Sequence, residues 1–541
     1  MDKILDRTKS LIFAKQSTII SSTVLLSGMI IISRFFGFLQ YRALTGVFTK
    51  DQLDIFFAAF RIPDLVFEIL ITGALTSTFI PYFIKYRGSR ETQDNISSVI
   101  NLITLSLFAI IALLSLILPY IMFLITPGFS PEKTRTIVQF SQMLLVGQLP
   151  MLVLGNFLTG ISQSRKSFFL PSLAPILYNL SIIGITILFA PSLSLLAPVI
   201  GVVAGASLFF AIQLPVLINS QFTYRLVILR TKAIKDFFRM AIPRILTVVA
   251  AQIDATIDLT LATLLGPGAF TIFYLAQRLQ LLPVSVIGIA LGQASLPYLT
   301  RLYQEKKIAD FKRVVTDSML DMMFLTIPIM SFFVFARTPI VRFVFGGQQF
   351  DWDATVRTAV TLSYFSLSLP FHSVYYFLTR CFYAIFDSRT PFYVSVVSIL
   401  LNTALSLIFT LVLHWPVYAL AVSFSISITV NVIILMYLLH KRLKGYQLRA
   451  MAWETMKITI ATAGASVPIY YLQKLLDGLI LDTSRTINIF FLLLYSACAY
   501  FLLYLLLAWA LGIKEIQILK TMTVKVRGYQ RKIFELYSHV Q

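Results

Sequence analysis

The chain has 541 residues, of which 57% are hydrophobic and only 13% charged, with a formal net charge of +21 and a mean hydropathy of +0.82. That is far more apolar surface than one soluble core of this length can hide, which excludes an ordinary soluble enzyme or nucleic-acid-binding domain and predicts a membrane protein. The two cysteines, Cys381 and Cys498, lack metal-ligand spacing and read as small buried hydrophobes, and the four histidines form no ligand cluster along the sequence.

In chain order, apolar runs of the roughly 20 residues that cross about 30 Å of hydrocarbon recur from Ser17 to Gly512. Proline, glycine and aromatic residues are scattered through them, which fits helices and not the short alternating strands of a barrel. About fourteen spans are expected. The first run follows MDKILDRTKSLIFAKQ without a small-residue cleavage pattern, so it is expected to remain as a helix. With the N-terminus on the cytoplasmic side, alternate connections collect roughly 29 basic residues on that side against about 8 on the other, the asymmetry of the positive-inside rule. Both termini are then cytoplasmic. The basic excess is accounted for by topology and contact with anionic membrane lipids, and no nucleic-acid partner is expected.

Two pairs of stretches resemble each other at long range. QSRKSFFLPSLAPILYNLS (163–181) and DSRTPFYVSVVSILLNTALS (387–406) share a Ser-Arg pair, an apolar run and a later Asn. FRIPDLVFEILITGALTSTFIPYF (60–83) aligns with QRLQLLPVSVIGIALGQASLPYL (277–299), pairing Arg61 with Arg278, Pro63 with Pro283, Gly73 with Gly292 and Pro81 with Pro297. The expectation is an all-α polytopic membrane protein. Two parallel six-helix repeats form N- and C-lobes around a central cavity, and two extra C-terminal helices follow. The boundaries are 1–222, 223–445 and 446–541, the last ending in a basic cytoplasmic tail. The small-xxx-small pairs Gly201/Gly205 and Gly288/Gly292 predict close helix packing.

Ionisable groups inside a span cost about 2.5–3.5 kcal/mol each on insertion scales, so they normally face a wet cavity or a partner. The clearest are Arg34, Arg61, Asp64, Glu68, Asp254, Asp258 and Arg278. Arg34, Arg61 and Arg278 fall on helices 1, 2 and 8, which a two-lobe arrangement places around the central space; converging there, three guanidiniums make an anion site suited to phosphate oxygens. Against that, Arg61 has Asp64 and Glu68 along its own helix as local partners, and Arg34 and Arg278 could snorkel or pair with another helix. Pro63 and Pro283 are expected to kink their helices and free backbone groups for a wet cavity to solvate. Asp258, with Asp254 one turn before it, and Asp387 and Thr403 near helix 11, are candidate ligands of a coupling Na+ or H+; Asp254 and Asp258 serve equally well as neutralisers of arginine. FDWD at 350–353 reads as a solvated loop, because a metal-binding glycosyltransferase site would need acidic partners that the sequence does not offer.

The ordered set SRFFGF (33–38), DIFFAAFRIPDL (54–65), GAL and TFIP (73–81), AQRLQLLPVSVIGIALGQASLP (276–297) and RCFYAIFDSRTP (380–391) resembles the MurJ/MviN family of lipid II flippases, within the MATE-like exporter superfamily, from about residue 17 to 443. The resemblance implies a multi-pass protein of the bacterial inner membrane that moves the undecaprenyl-pyrophosphate-linked disaccharide peptide, lipid II, to the outer leaflet by alternating access, without a cofactor and alongside the cell-wall synthesis machinery. It implies that Arg34 and Arg278 match cavity arginines needed for function, that Ser33 and Asp54 stand at motif positions, and that the two extra helices form a groove for the polyprenyl tail. The chain departs from the family at Gln40 and around Phe67-Glu68, where relatives often carry arginine, leaving Arg42 and Arg61 to compensate. The rival readings are a lipid-linked oligosaccharide or O-antigen flippase, a MATE-like multidrug exporter, a membrane-embedded transferase and a structural scaffold. Net arginine in the cavity disfavours a carrier of cationic drugs, short outside loops disfavour a transferase, and a scaffold would gain nothing from intramembrane charge.

Overall fold

The computed structural model describes residues 19–71, 90–164, 167–216, 224–229, 231–480, 482–483 and 485–517. Gly73 and Pro81 of the internal alignment, Arg165, the extreme N-terminus and the basic tail beyond 517 lie outside these residues, as does the side chain of Asp254. Among the described residues the structure is all helix with no strand. Eight of its helices are long and apolar enough to cross a membrane, and a shorter apolar helix spans Leu196–Ala211.

The chain divides into two compact units, one running to Thr271 with Val344–Asp351 added, the other comprising Ile272–Phe343 and the chain from Trp352. In the first unit the helices are α1 (Ile19–Val47), α2 (Lys50–Ala59), α3 (Arg61–Glu68), α4 (Arg90–Ile125), α5 (Pro131–Met143), α6 (Leu149–Ser164), α7 (Phe169–Leu193), α8 (Leu196–Ala211) and α9 (Lys232–Thr263). Helix α10 (Ala269–Pro283) begins at the boundary. The second unit continues with α11 (Ala290–Gln304), α12 (Ile308–Phe335), α13 (Arg337–Phe345), α14 (Trp352–Leu367), α15 (Leu369–Ala384), α16 (Arg389–Leu407), α17 (Tyr418–Arg442), α18 (Leu448–Leu475) and α19 (Thr486–Ala510). Short π-helical turns follow α5, α10, α16 and α18, and Ile69–Ile71 extends α3 in the same way.

Lipid cannot hydrogen-bond a stray carbonyl, so every proline inside a span raises the question of what satisfies the oxygen four residues earlier. Three of them are met by a side chain from a neighbouring helix. Pro63 frees the carbonyl of Ala59, and the buried Ser141 hydroxyl of α5 donates to it at 2.8 Å. Pro119 frees Ser115, whose carbonyl accepts from Gln142 Nε2 at 3.0 Å. In the second unit Pro328 frees Phe324, and Tyr504 of α19 donates its hydroxyl at 2.9 Å, while Tyr500 donates to the carbonyl of Pro328 itself at 3.1 Å. The helix break expected at Pro63 is present, between α2 and α3 at Phe60, but the freed Ala59 carbonyl is taken up by protein.

The glycine pairs pack as their spacing predicts. A Cβ on Gly205 would lie 2.8 Å from the Tyr178 carbonyl of α7, and one on Gly288 would lie 2.7 Å from Ser373 Cα of α15. Because backbone and not a flexible side chain stands in the way, Gly288→Val is expected to cost about 3 kcal/mol, the upper end of overpacking penalties; loss of monodisperse protein on size-exclusion chromatography reads it out. One expectation fails: Cys381 is buried but Cys498 is exposed on α19, because that helix turns this face outward to lipid and not into a core. In the FDWD segment Asp351 pairs with Lys50 at 3.1 Å, within the first unit, and Asp353 pairs with Arg357 at 3.5 Å in the second, ordinary surface partners for both acids.

Candidate functional site

Arg34 lies on α1, thirteen residues before its end at Val47. Its side chain is exposed, and among the described residues it makes no hydrogen bond or ion pair. A guanidinium within an apolar helix is tolerated where water, an anionic ligand or a partner can reach it. The preceding residue fixes the helix: Ser33 gives its carbonyl to Asn179 Nδ2 of α7 at 3.3 Å.

Arg61 opens α3 and is already engaged within the first unit. Its Nε donates to Thr256 Oγ1 at 3.0 Å and its Nη2 to the Gln252 carbonyl at 2.6 Å and to Gln252 Oε1 at 3.2 Å, all on α9. The same Gln252 carbonyl accepts the Thr256 hydroxyl at 2.7 Å. Arg61 therefore ties α3 to α9, with part of its donor capacity spent on doing so. Asp258, half a turn beyond Thr256, is buried with only 2% exposed.

Asp54 is wholly buried near the middle of α2. Its two carboxylate oxygens accept separately from the backbone N–H groups of Gly268, at 2.7 Å, and Thr271, at 2.8 Å, so the side chain caps the start of α10 from across the unit. Thr271 answers by donating its hydroxyl to the Lys50 carbonyl at 3.0 Å. An acid at a helix N-terminus satisfies orphan donors and meets the positive end of the dipole. Around it Lys50 pairs with Asp351 and Lys133 with Asp51.

In the second unit Arg278 is exposed on α10 and lies over the ring of Tyr274, 4.8 Å from its centroid, while donating to the Tyr274 hydroxyl at 2.8 Å. One turn of helix thus supplies both a face for the cation and an oxygen that aims its fork. Gln280, two residues on, is buried and meets His372 Nδ1 at 3.1 Å. None of Gln252, Thr256, Tyr274, Gly268 or Thr271 was expected from the sequence. The signal that would have found Tyr274 is the four-residue spacing of an aromatic and an arginine.

Within the second unit the candidate cation ligands Asp387 and Thr403 do not share a site. Asp387 precedes α16, where its oxygens accept from Thr390 N at 3.0 Å and Thr390 Oγ1 at 2.8 Å, and it pairs with Arg442 at 3.8 Å. Thr403 lies sixteen residues further along, about 24 Å at 1.5 Å per residue, so one ion cannot touch both. Burial pushes the Asp387 carboxyl up, but the Thr390 bonds and Arg442 outweigh it and hold the group below its ordinary value. Its contribution to stability is therefore complete above about pH 4 and is lost as pH falls through the lower folded-state value. Asp387→Asn is expected to lower the melting temperature at pH 7, with the difference from wild type shrinking as the pH falls through that lower value; thermal unfolding across an acid series checks it.

An all-helical chain with, among the described residues, eight helices long and apolar enough to cross a membrane has the architecture of a polytopic membrane protein. The solved structures similar to it are of that class. One titled lipid II flippase MurJ, inward closed conformation, superposes with a TM-score of 0.74 at 23% identity, covering 90% of this chain and 99% of that one; an inward-facing multidrug-resistance MATE transporter of the MOP superfamily superposes with a TM-score of 0.67 at 14% identity over 78% and 98%. Among curated relatives, a probable lipid II flippase of Bdellovibrio bacteriovorus is 26% identical over 92% of this chain and 96% of its own length, and one of Rickettsia prowazekii is 25% identical over 72% and 78%. The family described as lipid II flippase MurJ matches residues 46–491. The chain belongs to the MurJ family, whose members are transporters and not catalysts.

Proposed function

We propose that this protein flips lipid II from the inner to the outer leaflet of the bacterial cytoplasmic membrane by alternating access through a cationic, water-filled path. The observation that carries the reading is Arg34, a charged side chain exposed on the apolar helix α1 with no partner among the described residues. Arg278, aimed by Tyr274, supplies the second guanidinium. A pyrophosphate offers paired oxygens that match the arginine fork, and arginine keeps its charge when desolvated. The polyprenyl tail stays in lipid while the headgroup crosses through the wet path.

The finer architecture of the reading is about fourteen spans, arranged as two parallel six-helix lobes around the path, with α18 and α19 as the added pair. The π-helical turns that follow both Arg61 and Arg278 support equivalence of the two helices that carry them. Both termini lie in the cytoplasm on the positive-inside argument. An inside-negative potential favours outward movement of the headgroup by roughly 2.3 kcal/mol per charge per 100 mV. Na+ or H+ taken up at the buried Asp258 resets the empty carrier; Asp387, committed to Thr390 and Arg442, is not part of that site.

Depleting the protein in its host and measuring the leaflet distribution of lipid-linked precursor tests the proposal: precursor should accumulate on the cytoplasmic side, and an unchanged distribution would contradict it. Vesicles containing the purified protein separate the rivals, since a multidrug carrier would move a cationic dye and a flippase of another lipid-linked sugar would prefer that substrate to lipid II.

A further inference from the structure

The short connection between α17 and α18 holds a recess of about 730 Å³, lined by His440, Tyr446, Leu448, Arg449, Ala450 and Trp453. The connection is a built turn. Lys444 and Gly445 both have left-handed backbone, at φ +54° and +92°, and Gly445 N donates to the His440 carbonyl at 2.9 Å. Tyr446 N donates to His440 Nδ1 at 3.2 Å, and the Tyr446 hydroxyl donates to the Met436 carbonyl at 3.1 Å. Lys312 Nζ ties the turn to α12 through the Lys444 carbonyl at 3.4 Å. The two rings that wall the recess are therefore held in place before any ligand arrives.

Arg449 and Trp453, side chains of opposite polarity, both line the recess. Trp453 is 56% exposed although indole is a costly group to leave in water. Lys441, Arg442, Lys444 and Arg449 are all exposed within nine residues of sequence. The acids beside them offset only part of that charge: Asp387 pairs with Arg442, and Glu454 is taken by Lys457 at 3.0 Å. The 25 residues of α17 are about 37 Å long, enough to cross the hydrocarbon, so the turn that follows them lies at the membrane surface.

We propose that this recess binds an anionic glycerophospholipid of the phosphatidylglycerol type. Trp453 and Leu448 take the glycerol and upper acyl region. The Arg449 fork, with Lys441 and Lys444, takes the phosphodiester. A zwitterionic headgroup is disfavoured, because its ammonium would be brought against the same cations. The inference rests on the chain spanning the membrane with this turn at its surface, but not on lipid II being the cargo.

The test uses the full chain in nanodiscs, with Trp352, Trp415 and Trp509 replaced by Phe so that Trp453 alone fluoresces. Phosphatidylglycerol brominated high on its acyl chains should quench Trp453 more strongly than brominated phosphatidylcholine at equal mole fraction. Arg449→Gln should lower that preference about fivefold, the factor equivalent to about 1 kcal/mol per basic residue at an anionic surface, whereas Arg449→Lys should retain most of it. Equal quenching by the two lipids, an unchanged preference in Arg449→Gln, or stronger competition from a lipid-linked pyrophosphate than from phosphatidylglycerol would each overturn the proposal. Native mass spectrometry of the chain with all four tryptophans gives an independent reading: fewer retained phosphatidylglycerol molecules in Arg449→Gln supports the site, and an unchanged number refutes it. Because neither measurement involves flipping, failure here leaves the transport proposal standing, and loss of flipping elsewhere leaves this site standing.

Discussion

Arg34→Ala and Arg278→Ala are each expected to reduce lipid II translocation by about 10- to 100-fold in reconstituted vesicles, the range for losing a hydrogen-bonded charge worth roughly 1.5–3 kcal/mol. Both variants should still insert and remain monodisperse. Neither side chain is buried, and Arg34 makes no bond with the described residues, so its removal leaves no orphaned partner in the fold. Lysine should rescue each only in part, because an ammonium keeps the charge but not the two-pronged geometry that pyrophosphate rewards. Tyr274→Phe separates aim from charge: it removes the 2.8 Å bond that orients Arg278 and keeps the ring beneath it, so a smaller loss is expected than for Arg278→Ala. Full translocation by both alanine variants would remove the arginines from the path.

Asp54→Ala is expected to act through structure instead. It strips two acceptors from the buried N–H groups of Gly268 and Thr271 at the start of α10, and each unsatisfied buried donor costs about 1–3 kcal/mol. The melting temperature should fall, and amide exchange at Gly268–Thr271 should accelerate. Asp54→Asn retains one acceptor oxygen but turns an NH2 toward the other donor, so it should recover part of the stability and not all. The contrast with Arg34 is diagnostic: alanine at 34 should reduce transport at constant stability, whereas alanine at 54 should lower both together. A melting temperature unchanged in Asp54→Ala would show that the cap contributes nothing.

Helix class, membrane residence and the glycine packing positions were legible in the sequence because each depends on local composition or spacing. Gly205 and Gly288 need only a small residue at the right interval, and the neighbouring backbones do lie within 3 Å of where a Cβ would stand. Partners donated from afar were not legible. Pro63 announces a break, but nothing near it names Ser141 as the donor that closes it. Arg61 has acids at helical spacing, and its bonds to Gln252 and Thr256 span 191 and 195 positions of chain. Asp54 bonds to backbone amides, which leave no side-chain signature to align against it. Asp387 and Thr403 look adjacent in a list of oxygen donors and are separated by most of a helix, because spacing along α16 sets distance where residue type does not. Arg34 is the opposite case: its isolation within an apolar run was the signal, and it makes no hydrogen bond or ion pair among the described residues.

The most direct test of a wet, cationic path is thiol reactivity at the two arginine positions. In a chain carrying Cys498→Ser, the Arg34→Cys and Arg278→Cys variants should both react with a charged, membrane-impermeant sulfonate reagent, and added lipid II should slow both reactions. If neither thiol reacts with that reagent while a lipid-soluble maleimide labels both, the two positions face hydrocarbon and the proposed path does not exist.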